Sequence, residues 1–147
     1  NILKAGHTVG NHTYDHAKGW KTTSAHYLKS VTKTQSLIDE IKANEVTDKV
    51  STNRTYFRPP YGKIRLSQAN QLRKLGYQIV MWDILSGDFD RKIPNEAVFM
   101  NVKNHIRDGS IVVFHDSKKA AQRLFHALPK VLRYFKEKGY RFEALPA

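Results

Sequence analysis

Arg73-Lys74-Leu75-Gly76-Tyr77-Gln78-Ile79-Val80-Met81-Trp82 runs from a basic, helix-like tail through one glycine into an apolar segment. Glycine takes the left-handed conformation that ends a helix at little cost, and the apolar run after it reads as a strand covered on both faces. The same unit recurs three times: Leu3-Lys4-Ala5-Gly6 before His7-Thr8-Val9, His105 to Gly109 before Ser110-Ile111-Val112-Val113-Phe114, and Lys136-Glu137-Lys138-Gly139 before Tyr140-Arg141-Phe142. Between these units lie apolar stripes at helical spacing. Tyr27, Val31, Thr34, Ile38 and Ile41 form one, Val98, Val102 and Ile106 a second, and Leu124, Leu128, Val131 and Phe135 a third.

Strands alternating with helices predict an α/β fold with a mainly parallel sheet and right-handed crossovers. A further strand is expected at Tyr56-Phe57-Arg58, ended by Pro59-Pro60-Tyr61-Gly62 because proline cannot continue a ladder. That makes about five strands, short of the eight of a closed parallel barrel. Ile2-Leu3-Lys4-Ala5-Gly6 reads as the last turn of a helix whose start lies outside the sequence, so at least one βα unit is expected upstream.

The 147 residues suit one domain, residues 1–147, with a core of its own. At 40% hydrophobic and 26% charged residues, the chain has no apolar run near the ~20 residues of a membrane helix, and no membrane span is expected. The absence of cysteine excludes disulfides, zinc-thiolate sites and thiol nucleophiles. A net charge of +12, from 25 basic and 13 acidic residues, favours anionic partners. The basic residues are spread along helix-like segments such as Lys130 to Lys138, which reads as a solvated helix face, and no nucleic-acid partner is expected.

Candidate chemistry begins at Gly10-Asn11-His12-Thr13-Tyr14-Asp15-His16. The flanking Gly10, Asn11 and Thr13 argue against a helix, so His12 and His16 are placed at a strand end and in the loop beyond it. Sites gather at that end in parallel α/β proteins. The pair alone is compatible with a metal site or with one packed and one solvated histidine. Other polar residues fall at equivalent places: Arg58 before Pro59, Asp83 and Asp88 after the run ending at Trp82, and His115-Asp116 after Phe114. Charged groups at the ends of buried strands are costly unless paired, which makes a shared polar site the economical reading.

Gly6 to His16, Arg58-Pro59-Pro60-Tyr61-Gly62, Trp82 to Phe89, and Ile111 to Asp116 together resemble four ordered motifs of the polysaccharide deacetylases, the NodB-homology group or carbohydrate esterase family 4. The resemblance implies a distorted (β/α) barrel, incomplete at its N-terminus in this chain, that removes acetyl groups from N-acetylated sugar polymers. It implies a divalent metal, usually zinc, held by one Asp and two His, with His12 and His16 matching the two His. Neutral imidazole nitrogens suit zinc. His115 matches the general acid, Asp88 the carboxylate that orients it, and Arg58 the arginine that pairs with the catalytic base. The backbone N–H of Tyr61 matches the oxyanion donor. Pro60, Tyr61, Trp82 and Phe89 are expected to line the substrate site, Trp82 and Phe89 mainly as packing residues. Asp83 and Asp90 are rivals to Asp88, while His7, His26, His105 and His126 are read as helix, edge or packing histidines.

The family's Asp-Asp pair, base and third metal ligand, is not in this sequence, where no two aspartates are adjacent. Asp15 and Asp116 are the nearest substitutes but match no motif. The pair is expected on an upstream strand, and the chain as given is expected to be weakly active or inactive. By resemblance the protein belongs outside the cytoplasm, in a secreted, periplasmic or cell-surface position. A glycan-binding pseudo-enzyme is the alternative reading.

Overall fold

The computed structural model describes residues 2–45 and 54–145. They divide into two compact units, Asn1–Met81 with Ala144–Ala147, and Trp82–Glu143.

In the first unit, helix α1 spans Ser24–Glu45, strand β1 Thr55–Phe57, helix α2 Leu66–Lys74 and strand β2 Tyr77–Ile79. Thr23 opens α1 by accepting the His26 N–H on its hydroxyl at 3.3 Å. Strands β1 and β2 pair in parallel, with Thr55 opposite Tyr77 and Phe57 opposite Ile79. Tyr27, Val31, Phe57, Leu72 and Tyr77 form the core beneath them. Phe57 meets Tyr27 and Tyr77 edge to face at 6.1 and 6.2 Å, the arrangement that ring quadrupoles favour. The helical stripe is buried at Tyr27, Val31 and Ile38, whereas Ile41 is exposed.

The fully buried Gln68 clamps this unit. It accepts the Arg65 N–H and donates to the carbonyls of Gly19 and Thr22, joining α2 to the 3₁₀ turn Gly19–Lys21. A Cβ on Gly19 would lie 2.6 Å from the Lys63 carbonyl oxygen and 2.7 Å from Gln68 Oε1. Because one obstacle is backbone, Gly19→Ala is expected to destabilise the chain by about 3 kcal/mol, read as a lowered denaturation midpoint.

In the second unit, strand β3 spans Ile84–Leu85, helix α3 Asn95–His105, strand β4 Val112–Val113 and helix α4 Ala121–Glu137. Strands β3 and β4 are also parallel, with Ile84 opposite Val112. Ile84, Val102, Val131 and Phe135 form the core. Gly139, at φ 84°, ends α4: its N–H bonds Lys136 O at 3.0 Å, and Tyr140 N–H bonds Phe135 O at 2.9 Å while the two rings touch. This is the double hydrogen bond of a glycine-stopped helix with its apolar contact. Gly6 repeats it, bonding Leu3 O as His7 bonds Ile2 O.

Three sequence expectations change. Gly109 does not stop a helix, because α3 ends at Ile106 in extended backbone and Gly109 sits in the turn from Arg107 to Ser110. His7-Thr8-Val9 and Tyr140-Arg141-Phe142 are not strands among the described residues. The first segment reaches β1 only through a parallel bridge from Asn11 to Phe57, and left-handed Thr13 then ends its extension. In the second, Tyr140 is held by the helix stop, and Arg141 and Phe142 are exposed. Instead of one sheet of about five strands, the described residues form two parallel pairs; the run from Tyr77 to Trp82 is a strand only over Tyr77–Ile79, and β3 at Ile84–Leu85 is a strand the sequence reading did not place. No helix among them is long and apolar enough to cross a membrane.

Glu96 on α3 binds Lys130 at 2.6 Å and His126 at 2.9 Å, both on α4. Hydrogen bonds to Lys130 and His126 hold its carboxyl below the usual 4.5. A depressed carboxylate stabilises the fold above its ordinary pKa and loses that contribution as pH falls through the lowered value. Glu96→Gln is therefore expected to lower the melting midpoint slightly at neutral pH, with the difference closing on acidification well below 4.5.

Candidate active site

In the first unit, left-handed backbone builds the site. Thr13, His16 and Tyr61 have φ of 63°, 54° and 58°, the only non-glycine residues with positive φ among those described. Each is a conformation that L-residues adopt at a cost, held only where surroundings impose it. Asn11 imposes much of it here. It is 1% exposed, accepts the Thr13 N–H at 3.0 Å and donates to Val31 O and Gln35 Oε1 on α1. The Thr13 hydroxyl then accepts the Ala17 N–H. The sequence marks neither of these buried polar residues as part of the site, although both lie inside the Gly10 to His16 motif.

This loop brings the His12 and His16 rings to 5.0 Å, and the His16 and Tyr61 rings to 4.6 Å. His12 Nδ1 lies 2.6 Å from the Arg58 carbonyl. A carbonyl only accepts, so Nδ1 carries the hydrogen and Nε2 the lone pair, the tautomer a metal-binding histidine needs. Arg58 thus serves through its backbone, a role sequence spacing could not reveal. Its side-chain Nε donates to Val80 O at 3.2 Å, and burial lowers the guanidinium pKa. Pro60 is buried and Tyr61 is half exposed at 52%.

Asp15 does not join the pair. Its two oxygens bond the Ser30 hydroxyl and His26 Nε2, which hold its carboxyl below the usual 3.8. No group of three or more His, Asp or Glu suited to a metal occurs among the described residues. The donor set fits a divalent cation in kind, with two imidazoles and one fixed tautomer, and supplies two protein ligands.

In the second unit, Asp88 is fully buried and bonds His115 twice: Oδ1 to Nδ1 and Oδ2 to the backbone N–H, both at 2.7 Å. With the Nδ1 hydrogen directed at the carboxylate, Nε2 is the ring nitrogen left with the lone pair. Arg123, 6% exposed on α4, donates to the Asp88 carbonyl at 2.7 Å and secures this turn. Nothing in the sequence marked Arg123. The Phe89 and His115 rings lie 5.0 Å apart, tilted by 68°. Of the rival aspartates, Asp83 bonds Ser110 and the Ile111 N–H, and Asp90 bonds the Lys92 N–H. Trp82 is half-buried and Asp116 exposed. His105 Nδ1 contacts the Asn101 carbonyl one helical turn back, and His26 and His126 are the carboxylate partners described above.

Residues 1–80 match the family described as polysaccharide deacetylase. A peptidoglycan-N-acetylglucosamine deacetylase of Bacillus cereus is 27% identical over 147 residues, 99% of this chain and 50% of that protein. The crystal structure of the Bc1960 peptidoglycan N-acetylglucosamine deacetylase superposes with a TM-score of 0.85 at 27% identity, over 99% of this chain and 64% of that one. The fold type is therefore that of these deacetylases, an incomplete α/β barrel in this chain. BA3943 of Bacillus anthracis, a pseudoenzyme of carbohydrate esterase family 4, superposes at 0.75 and 26% identity over 95% of this chain and 45% of that one. The chain thus spans 50% of the Bacillus cereus deacetylase and 64% of the Bc1960 chain.

Proposed function

The chain belongs to the polysaccharide deacetylase family, and we propose that it carries the substrate-activating and proton-donating residues of a metal-dependent deacetylase of N-acetylated surface polysaccharides. The observation that carries the reading is the histidine pair itself: two imidazoles with rings 5.0 Å apart, His16 on left-handed backbone and His12 fixed by the Arg58 carbonyl. The names of the relatives support peptidoglycan as the substrate class, and hence a site of action outside the cytoplasmic membrane.

His12 and His16 would hold the cation, most suitably zinc given two nitrogen ligands. When bound, such a cation polarises an acetamide carbonyl and lowers the pKa of water, which makes amide hydrolysis accessible at neutral pH. The Tyr61 N–H donates to the oxygen that gains charge as water adds to the carbonyl carbon. His115 delivers the proton on Nε2 to the nitrogen as the acetyl carbon–nitrogen bond breaks, and the proton shed by the adding water passes to the general base, leaving acetate and the free amine. Asp88 holds the ring in that tautomer and balances the imidazolium charge. The base and third ligand of the family are carboxylates that this sequence does not contain as a pair.

Acetate release from N-acetylglucosamine oligomers by the zinc-loaded full-length gene product is the direct test; no release would overturn the reading. Since the Tyr61 contribution is its main chain, Tyr61→Phe is expected to keep that rate within about threefold, the range of a surface substitution. A tenfold loss would mean that the phenol itself takes part.

A second reading rests on the likeness to a pseudoenzyme: a glycan-binding domain that does no hydrolysis. It predicts oligomer binding without acetate release, with or without added zinc.

A further inference from the structure

Ser30 on α1 lies outside every stretch of sequence from which the site is built, yet its side chain holds the backbone that presents His16. It is 6% exposed. A serine inside a helix ordinarily returns its hydroxyl to the carbonyl four residues back, as Ser36 does on this same helix, bonding Thr32 O at 3.2 Å. The Ser30 hydroxyl leaves the helix instead. It accepts the Tyr14 N–H at 2.9 Å and the Asp15 N–H at 3.4 Å, and it donates to Asp15 Oδ1. A hydroxyl has two lone pairs and one hydrogen, and the residues before His16 take all three.

The neighbouring contacts complete the grip. His26, one helical turn before Ser30, holds the second Asp15 oxygen through Nε2 at 3.0 Å. At the start of the loop, Asn11 donates to the carbonyl of Val31, the residue after Ser30. Past His16, the Ala17 N–H bonds the Thr13 hydroxyl. His16, at φ 54°, therefore sits between two residues that are each tied down. Left-handed backbone at a residue with a Cβ persists only where its surroundings impose it. On the N-terminal side of His16 those surroundings converge on one buried hydroxyl.

We propose that Ser30 is a positioning residue for the histidine pair. It fixes the backbone of His16, and through it the placement of the ring 5.0 Å from that of His12 and 4.6 Å from that of Tyr61. The affinity of the pair for a divalent cation then depends on a hydroxyl that touches neither cation nor substrate. The inference deepens the deacetylase reading and rests on it for the cation, while the placement of the ring stands without it.

The test uses the full-length protein and three variants, Ser30→Ala, Ser30→Thr and Ile38→Val. Ile38 is a buried residue further along α1 that makes none of these hydrogen bonds, and shortening it lowers the melting midpoint through packing alone. Two quantities are read: zinc affinity by competition with a chromophoric chelator, and the NMR shifts of the His16 ring protons in metal-free protein, which report the contacts with His12 and Tyr61. Ser30→Ala is expected to weaken zinc binding about 10–100-fold, the range for removing a group that orients a metal ligand, and to move the His16 shifts. Ser30→Thr keeps the hydroxyl and should restore most of both. Ile38→Val should change neither. A Ser30→Ala protein with a lowered melting midpoint but unchanged His16 shifts, or with zinc affinity within about threefold of the wild type, overturns the proposal, as does an equal loss of zinc affinity in Ile38→Val. A wild type that neither binds zinc nor releases acetate removes the deacetylase reading, and the ring shifts still decide whether Ser30 places His16.

Discussion

Replacing His115 by alanine lowers acetate release by about 10²–10⁴-fold, the span that a positioned general acid contributes, while substrate affinity stays near its original value. The geometry sets this expectation. Both hydrogen bonds of the Asp88 carboxylate go to His115, and the ring has one nitrogen left for chemistry. Asp88→Asn is the sharper version. An amide is nearly isosteric but can present its NH₂ group where Nδ1–H was donated, which favours the wrong tautomer; a loss of similar size is expected, at most about 10⁴-fold. Because Asp88 is fully buried and also accepts the His115 backbone N–H, part of the loss could be structural. A melting midpoint measured beside kcat separates the two. A variant that keeps its midpoint and loses its rate supports proton donation, and one that keeps both removes His115 from the mechanism.

Replacing either His12 or His16 by alanine has the second large effect. Removing an outer-shell partner from a metal site costs about 10–100-fold in affinity, so losing a ligand itself costs at least that much. Zinc affinity measured by competition with a chromophoric chelator should fall accordingly, and acetate release with it. The two variants differ in their structural cost. His16 holds a left-handed backbone at φ 54° and packs on Tyr61, so His16→Gly relieves strain while removing the ligand. A His16→Gly chain that melts no lower than the wild type but binds zinc weakly would separate ligation from folding.

The repeating glycine stops were legible because they depend on local backbone chemistry: Gly6, Gly76 and Gly139 all take positive φ after a helical turn. Gly109 misled because the same composition also suits a turn, and only Asp83 reaching across from the other segment shows which. Strand extent is illegible for the same reason. The apolar run after Gly76 contains Gln78, which is exposed, and only Tyr77–Ile79 pairs with β1. In the candidate site, histidines and aspartates announce themselves by type. What holds them does not. The Asn11 bonds to α1, the Arg58 carbonyl on His12 and the Arg123 bond to Asp88 join residues 20, 46 and 35 positions apart, distances at which a single sequence carries no signal.

Trp20, between Lys18-Gly19 and Lys21, carries no signal in the sequence, yet the grip of buried Gln68 on Gly19 from 49 residues away fixes the turn that holds it.

On the proposed reading these residues hydrolyse an acetamide with a cation held by His12 and His16. That reading is tested most directly by acetate release from N-acetylglucosamine oligomers after chelation and stepwise return of zinc to the full-length product. Chelation is expected to abolish release, about one equivalent of zinc to restore it, and the His12→Ala variant to stay inactive. Release that survives chelation, or that zinc restores equally in His12→Ala, would contradict the reading.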